Sequence, residues 1–341
     1  MSFGYQVLGF GAFPNREADY FIENAIMFDG GADYLSWTPS GAGTEETWTF
    51  SLWVKKSEFG SEMGLFEVQV DTSNRLGLRY GASSTDTLTA FGDISGSRKL
   101  QYNSDGVYRD PTAWQNIVIS MNTTDGTAAA NRFNMWTNGQ TVSSTSPTYP
   151  DEDDVFNINT AIAHYIGRRG NDGGYFHGYL AEVIFLDGTA STDASEFGEL
   201  NDQGVWVPKN PSGLTFGTNG FHLDFKSADI GNDVSGNNND FTATSMGANN
   251  VVVDTCTDDS TADVTIYPTL DPDNKESNIT LSSSNLKAEN DAQAAWNSVL
   301  GTIGLSSGRY YWEITRNYSG HGYDTWGVVG DGKVASDLDR G

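Results

Sequence analysis

Along much of the chain, apolar residues recur at every second position in short runs, and Gly, Asn, Asp, Ser and Thr separate the runs. In TFSLWVKK, Phe50, Leu52 and Val54 fall on one side and Ser51, Trp53 and Lys55 on the other, the period of a half-buried strand. The pattern predicts strands over 47–57, 64–70, 75–81, 114–122, 132–142, 163–169 and 178–188, with NGFHLDF (219–225) as a closing strand. One short helix is predicted over 191–204, where Ser, Thr and Asp precede Glu196, Phe197 and Leu200. Many strands without interleaved helices imply antiparallel pairing in two stacked sheets, so the expected fold class is all-β.

At 341 residues the chain is long for one core, and composition divides it. Residues 1–24 are a Gly and aromatic segment without clean periodicity, read as an N-terminal arm for attachment. Residues 25–225 form the first sandwich, 226–252 a linker rich in Gly, Asn, Asp and Ser, and 253–341 a second β-rich region. The clearest strands of that region are SNITLSSSNLKA (277–288) and SSGRYYWEITRN (306–317), and the chain stops soon after WGVVGDG.

Charge narrows the partners. The formal net charge is −26, with 19 Lys and Arg against 45 Asp and Glu, a mean field that repels phosphate backbones and anionic lipid. Nucleic acid and membrane are therefore not expected partners. The first residues, MSFGYQVLGFGAF, lack a basic start and are broken by glycine, so neither a signal peptide nor a membrane span is predicted. A single cysteine, Cys256, excludes an intrachain disulfide.

The chemistry-bearing residues point away from catalysis. Glycosidases place two carboxylates about 5–10 Å apart across the scissile bond. In YFHGYLAEVIFLDG, Glu182 has no acidic residue at i+2 or i+4, and Asp187 falls on the other face of a regular strand. His164, His177, His222 and His321 lack metal-ligand spacing, and no GxSxG is present. No catalytic residue is assigned and the chain is read as a non-enzyme. RRGNDGGYFHGY (168–179) offers Arg168, Arg169, Asn171, Asp172 and Tyr175 in one loop, the residue types that bind glycan hydroxyls and sugar faces. A glycine-rich hairpin with ordinary surface polarity is the alternative. Trp53, Trp114, Trp136 and Phe185 sit in strand contexts that favour the core.

In order along the chain, IMFDGGADYLSW, TFSLWVKK, YRDPTAWQNIVISMNTTDGTAAANRFNMWTNGQTV, HYIGRRG and YFHGYLAEVIFLDGTAST resemble the strands of a concanavalin A-like jelly roll of the laminin-G type. RDPTAWQNIV, GVWVPK, GTNGFHLDF and SGNNNDFT resemble proteins of tailed bacteriophages, often tail-fibre or other virion proteins. LSSGRYYWEITRN with WGVVGDG resembles the first half of a SPRY domain. The resemblance implies a virion protein attached through its arm to other virion proteins and facing host-surface polysaccharide or receptor, as a homo-oligomer of trimeric kind. A polysaccharide depolymerase and a purely architectural decoration protein are the competing readings. The jelly-roll resemblance also implies calcium near the first turn, held by Asp29 and Asp33. Ala181, however, stands where such sandwiches place a further Asp, and FDGGAD reads more readily as a β-turn with Asx bonding than as an ion site.

Overall fold

The computed structural model describes residues 20–81, 85–171, 173–201, 204–226, 229–252, 254–257, 270–282, 287–290 and 297–301. The chain divides into two units, residues 1–260 and 261–341. The first unit opens with β1 (Ala25–Asp29), β2 (Tyr34–Trp37), β3 (Thr47–Lys56), β4 (Met63–Asp71), β5 (Asn74–Tyr80), β6 (Thr87–Ile94) and β7 (Ser97–Val107). Next come β8 (Gln115–Asn122), β9 (Phe133–Thr137), β10 (Gln140–Thr141), β11 (His164–Ile166) and β12 (His177–Asp187). The unit closes with β13 (Gly198–Leu200), β14 (Trp206–Pro208), β15 (Phe221–Leu223), β16 (Thr242–Thr244) and β17 (Val251–Val252).

Two antiparallel sheets stack face to face. One runs β10-β9-β8-β3-β12-β1-β17, with β15 also on β12; the other runs β16-β2-β11-β4-β5-β6-β7. The predicted alternation holds in β3, whose Phe50, Leu52 and Val54 join the core between the sheets. Phe50 stacks on Phe66 of β4 at 4.4 Å, and Phe185 of β12 lies 5.6 Å from Phe221 and 6.4 Å from Phe66. Burying each such ring is worth roughly 1.5–3 kcal/mol, and each favourable ring pair adds about 0.5–1.5 kcal/mol. The Asn138–Gly139 turn between β9 and β10 has φ of 47° and 74°, the left-handed pair that a two-residue hairpin requires.

Two expectations are corrected and two strands are added. The described part of 191–204 contains no helix: Asp193 accepts from the Ser195 N–H, Ser191 bonds Glu196, and Gly198–Leu200 pairs as β13 with β14. These local side-chain bonds compete with helical ones. Residues 226–252 are no linker, because β16 pairs with β2 and β17 with β1, extending both sheets. The polar residues there turn inward: Asp233 accepts from the His222, Ser235 and Asn239 N–H groups, while Phe241 packs 4.8 Å from Phe221. Finally, β6 and β7 extend the second sheet by two strands that the hydrophobic pattern did not single out.

In the second unit, β18 (Leu270–Lys275) pairs with β21 (Val299–Gly301), and β19 (Ile279–Ser282) with β20 (Lys287–Asn290). The expected 306–317 strand and WGVVGDG lie outside the described residues, as does His321.

His164 projects from β11 into the core, 5.3 Å from the Trp37 ring. Its Nε2 accepts the Asn159 N–H at 2.9 Å and its Nδ1 faces the Ile162 carbonyl at 2.9 Å, an arrangement that suits the neutral ring protonated at Nδ1. Burial pushes its pKa down to about 4, against the Ile162 bond. The unfolded chain therefore binds a proton here near pH 6.5 while the folded chain refuses it until about pH 4, so stability falls as pH drops through that window. The full loss is about 3 kcal/mol. Comparing His164→Gln with the parent by urea unfolding at pH 7 and pH 4 should show the parent losing about that much more; equal losses would remove this account.

Candidate functional site

Between Ala181 and Ile184, β12 carries one residue more than its partner β3, where Trp53 and Ser51 sit opposite. This is a β-bulge, and Glu182 occupies its left-handed position with φ of 47°. The bulge falls where the other edge of β12 changes neighbour, from β1 at His177–Leu180 to β15 at Val183–Phe185. Glu182 is 4% exposed. It accepts from the Tyr20 hydroxyl at 2.8 Å, and its other oxygen meets His222 Nε2 of β15 at 2.9 Å. Burial first, and then the Glu182 charge, push the Tyr20 hydroxyl far up, so it remains a donor. Glu182 thus ties the segment before β1 to β15.

Asp187 belongs to a different network. It accepts from the Thr44 N–H at 2.8 Å, the Asn159 amide at 2.6 Å and the Asn219 N–H at 3.0 Å, fastening three loops at one end of the sandwich. The two carboxylates that the sequence brought into question are each engaged in structural bonds.

The candidate site lies on the outer face of the seven-stranded sheet. Residues opposite one another across the ladder share a face, and one such row reads Ser36, Tyr165, Glu67, Gly77, Phe91 and Gln101. Tyr34, two residues before Ser36, belongs to the same face. The Arg168 guanidinium lies over the rings of Tyr34, at 4.1 Å, and Tyr165, at 4.0 Å, while Tyr175 stands 6.5 Å from Tyr34. Arg169 and Arg79 both reach Oε1 of Glu62, at 2.7 and 2.9 Å. Further along, Phe91 packs against Gly77, where a Cβ would sit 2.7 Å from its ring atoms. Arg79, Arg75 and Arg98 cover that ring at 4.2, 5.2 and 5.3 Å. Burial pushes the Glu67 carboxyl up, against the pull of Arg169 and Arg79, and pulls the Arg79 guanidinium down.

Of the loop residues expected to meet glycan, the structure brings together Arg168, Arg169 and Tyr175; Asn171 is exposed beyond the Arg169–Gly173 bridge. Asp172 lies outside the described residues. Tyr34, Arg75, Arg79 and Phe91 were missed. A signal for two of them was present, since RLGLR places Arg75, Gly77 and Arg79 on one strand face. Trp53, Trp136 and Phe185 are buried as expected, and Trp114 is half-buried beside Lys55.

Asp29 and Asp33 do not fit a calcium site. Asp29 Oδ1 accepts the Gly31 N–H at 2.7 Å, and Asp33 Oδ2 accepts the Asp29 N–H at 3.1 Å. This is the Asx-bonded turn, and calcium demands six to eight oxygens. Among the described residues no group of three or more His, Cys, Asp or Glu side chains is placed to hold a metal.

The two stacked antiparallel sheets form a lectin-like sandwich of the concanavalin A-like jelly-roll kind. Residues 29–194 match the family model described as the concanavalin A-like lectin/glucanases superfamily. No curated protein matches the sequence. Among solved structures, the chain is similar to a Bacteroides ovatus protein described as carbohydrate binding, at 16% identity over 68% of this chain and 60% of that one, TM-score 0.49. It is similar to domains LG4-5 of the mouse laminin alpha1 chain at 11% identity, over 51% and 46%, TM-score 0.37. It is also similar to tailspike protein 2 of the Escherichia coli O157:H7 bacteriophage CAB120 at 16% identity, over 49% and 22%, TM-score 0.34. The chain thus spans 60% or less of each of these three.

If Glu182 is a structural tie, Glu182→Gln should lower the unfolding free energy by about 1–3 kcal/mol, the worth of a buried charged hydrogen-bond partner. Urea unfolding measures this, and a variant as stable as the parent would contradict the role.

Proposed function

We propose that this chain is a non-enzymatic virion protein of a tailed bacteriophage, a tail fibre or other surface appendage, that presents its sandwich for adhesion to host-surface glycan. The observation that carries the adhesive reading is the strip formed by Tyr34, Tyr165 and Tyr175, half-buried rings on the outer face of the sheet with the Arg168 guanidinium packed over the first two. Sugar rings stack on aromatic faces, and their hydroxyls need donors whose positions do not have to be organised on binding. The phage assignment rests on the order of phrases such as RDPTAWQNIV, GTNGFHLDF and SGNNNDFT. The non-enzymatic reading is supported by Glu182 and Asp187, whose carboxylates are committed to separate structural networks instead of flanking a common cleft. In this reading the protein works on the virion surface, its arm holds it to other virion proteins, and a trimeric assembly multiplies weak sites into avidity.

Host-surface polysaccharide incubated with the full chain should be captured without change in chain length. Shortened polysaccharide would overturn the non-enzymatic reading in favour of a depolymerase. Arg168→Ala and Tyr34→Ala should each weaken capture by about tenfold, close to 1.4 kcal/mol; undiminished capture by both would move adhesion away from this strip.

A further inference from the structure

The arginines of the outer strip are more than a structural lattice. Arg75, Arg79, Arg98, Arg168 and Arg169 are five of the nineteen Lys and Arg residues in a chain of net charge −26. They stand with three acidic groups, Glu62, Glu67 and Asp93. Asp93 is held by Arg75 Nε at 2.8 Å and by Arg98 Nε at 2.5 Å. Arg79 meets Glu62 through Nη1. These bonds leave both terminal nitrogens of Arg75 and Nη2 of Arg79 outside any protein hydrogen bond among the described residues. Between them, neither oxygen of the buried Glu67 meets a donor at hydrogen-bonding geometry, and the buried Nε atoms of Arg79 and Arg169 meet no acceptor. Phe91 helps hold the cations, its ring centroid lying 4.2 Å from the Arg79 guanidinium and 5.2 Å from that of Arg75, a contact that uses none of their N–H groups, whereas Arg98 spends its nitrogens on Asp93 and Gln101.

We infer that this arginine cluster over Phe91 is a subsite for a carboxylate-bearing sugar, a uronic-acid type unit of the glycan. A planar guanidinium fork matches a planar carboxylate through two parallel N–H···O bonds, and a fixed fork loses little freedom in forming them. The subsite continues the Tyr34, Arg168 and Tyr165 strip, since Glu62 bridges Arg79 to Arg169. The inference rests on the glycan-adhesion reading, whose neutral-sugar surface it extends with a charged position.

The test is a titration of the full chain, followed by the side-chain Nε–Hε NMR signals of its arginines, at fixed ionic strength. The probes are sodium glucuronate, methyl glucoside and glucose 6-phosphate. Glucuronate should move the Arg75 and Arg79 signals saturably, with at least tenfold higher affinity than either other probe. Arg75→Gln also releases Asp93, so Arg75→Lys, which keeps the charge and removes the fork, is measured beside it; both should weaken glucuronate binding at least fivefold. No saturable response to glucuronate, with polysaccharide capture retained, overturns this subsite and leaves glycan adhesion standing. An equal response to methyl glucoside removes the requirement for acid, and tighter binding of glucose 6-phosphate overturns the carboxylate assignment.

Discussion

One extra residue in β12 is the constraint on which the sandwich turns. In a regular strand Leu180 and Phe185, five positions apart, would face opposite ways, yet both belong to the core between the sheets. The bulge resets the alternation at the point where β1 ends and β15 begins along the same edge. Holding a glutamate at φ of 47° costs roughly 1–3 kcal/mol. Glycine would remove that cost, but glycine has no carboxylate with which to bind both Tyr20 and His222. The strain is offset by those two bonds and by the burial of Phe185 against Phe221 and Phe66.

This arrangement assigns different work to the two outer faces. Beyond Glu182 the outer face of the eight-stranded sheet is closed over: Ile22, Ala25, Trp53, Ala181 and Cys256 form a small cluster there, and Ile22 exchanges bonds with Thr257. Lys55 is drawn down over the rings of Tyr179 and Trp114 and paired with Asp254. Val118, Trp136, Ile184 and Leu186 are covered in turn by Ala194 and Phe197. The seven-stranded sheet carries charged residues on its outer side, with Glu62, Arg75, Arg79 and Arg169 half-buried and Glu67, Asp93 and Arg168 buried, held by ion pairs and ring contacts. The proposed adhesion accordingly uses this face, whose polar residues are organised, and not the one that is closed over.

How much of this could be read from sequence depended on whether a residue's role was local. The strands at 47–57 and 114–122 were legible because one side of each is continuously apolar and buried. β7 was not: SRKLQYNSDGV has Leu100 and Tyr102 on its core side and polar residues on most of the rest, so its periodicity is too diluted to stand out. NDVSGNNND looked like a linker for the opposite reason, because composition does not reveal whether Asn and Asp bond to water or, as Asp233 does, to backbone N–H groups inside a folded loop. The site was half legible. Arg168, Arg169 and Tyr175 share one loop, whereas Tyr34, Arg79 and Phe91 join them only through sheet order, in which β2, β11, β4, β5 and β6 follow one another.

Sheet order also explains how a strongly acidic chain can keep a cationic strip. At physiological ionic strength the field of distant surface charges decays over about 8 Å. A ligand lying on the strip therefore responds mainly to the groups it touches, while the remaining acidic surface governs its approach. Within the strip, Glu62 and Asp93 each serve two arginines. One carboxylate can hold two guanidinium groups in place without cancelling both charges, and that excess persists where the surrounding charge is screened. Long-range repulsion and short-range attraction consequently act at different distances: for the acidic glycan proposed above, the first would limit the rate of arrival and the second would set how long it stays.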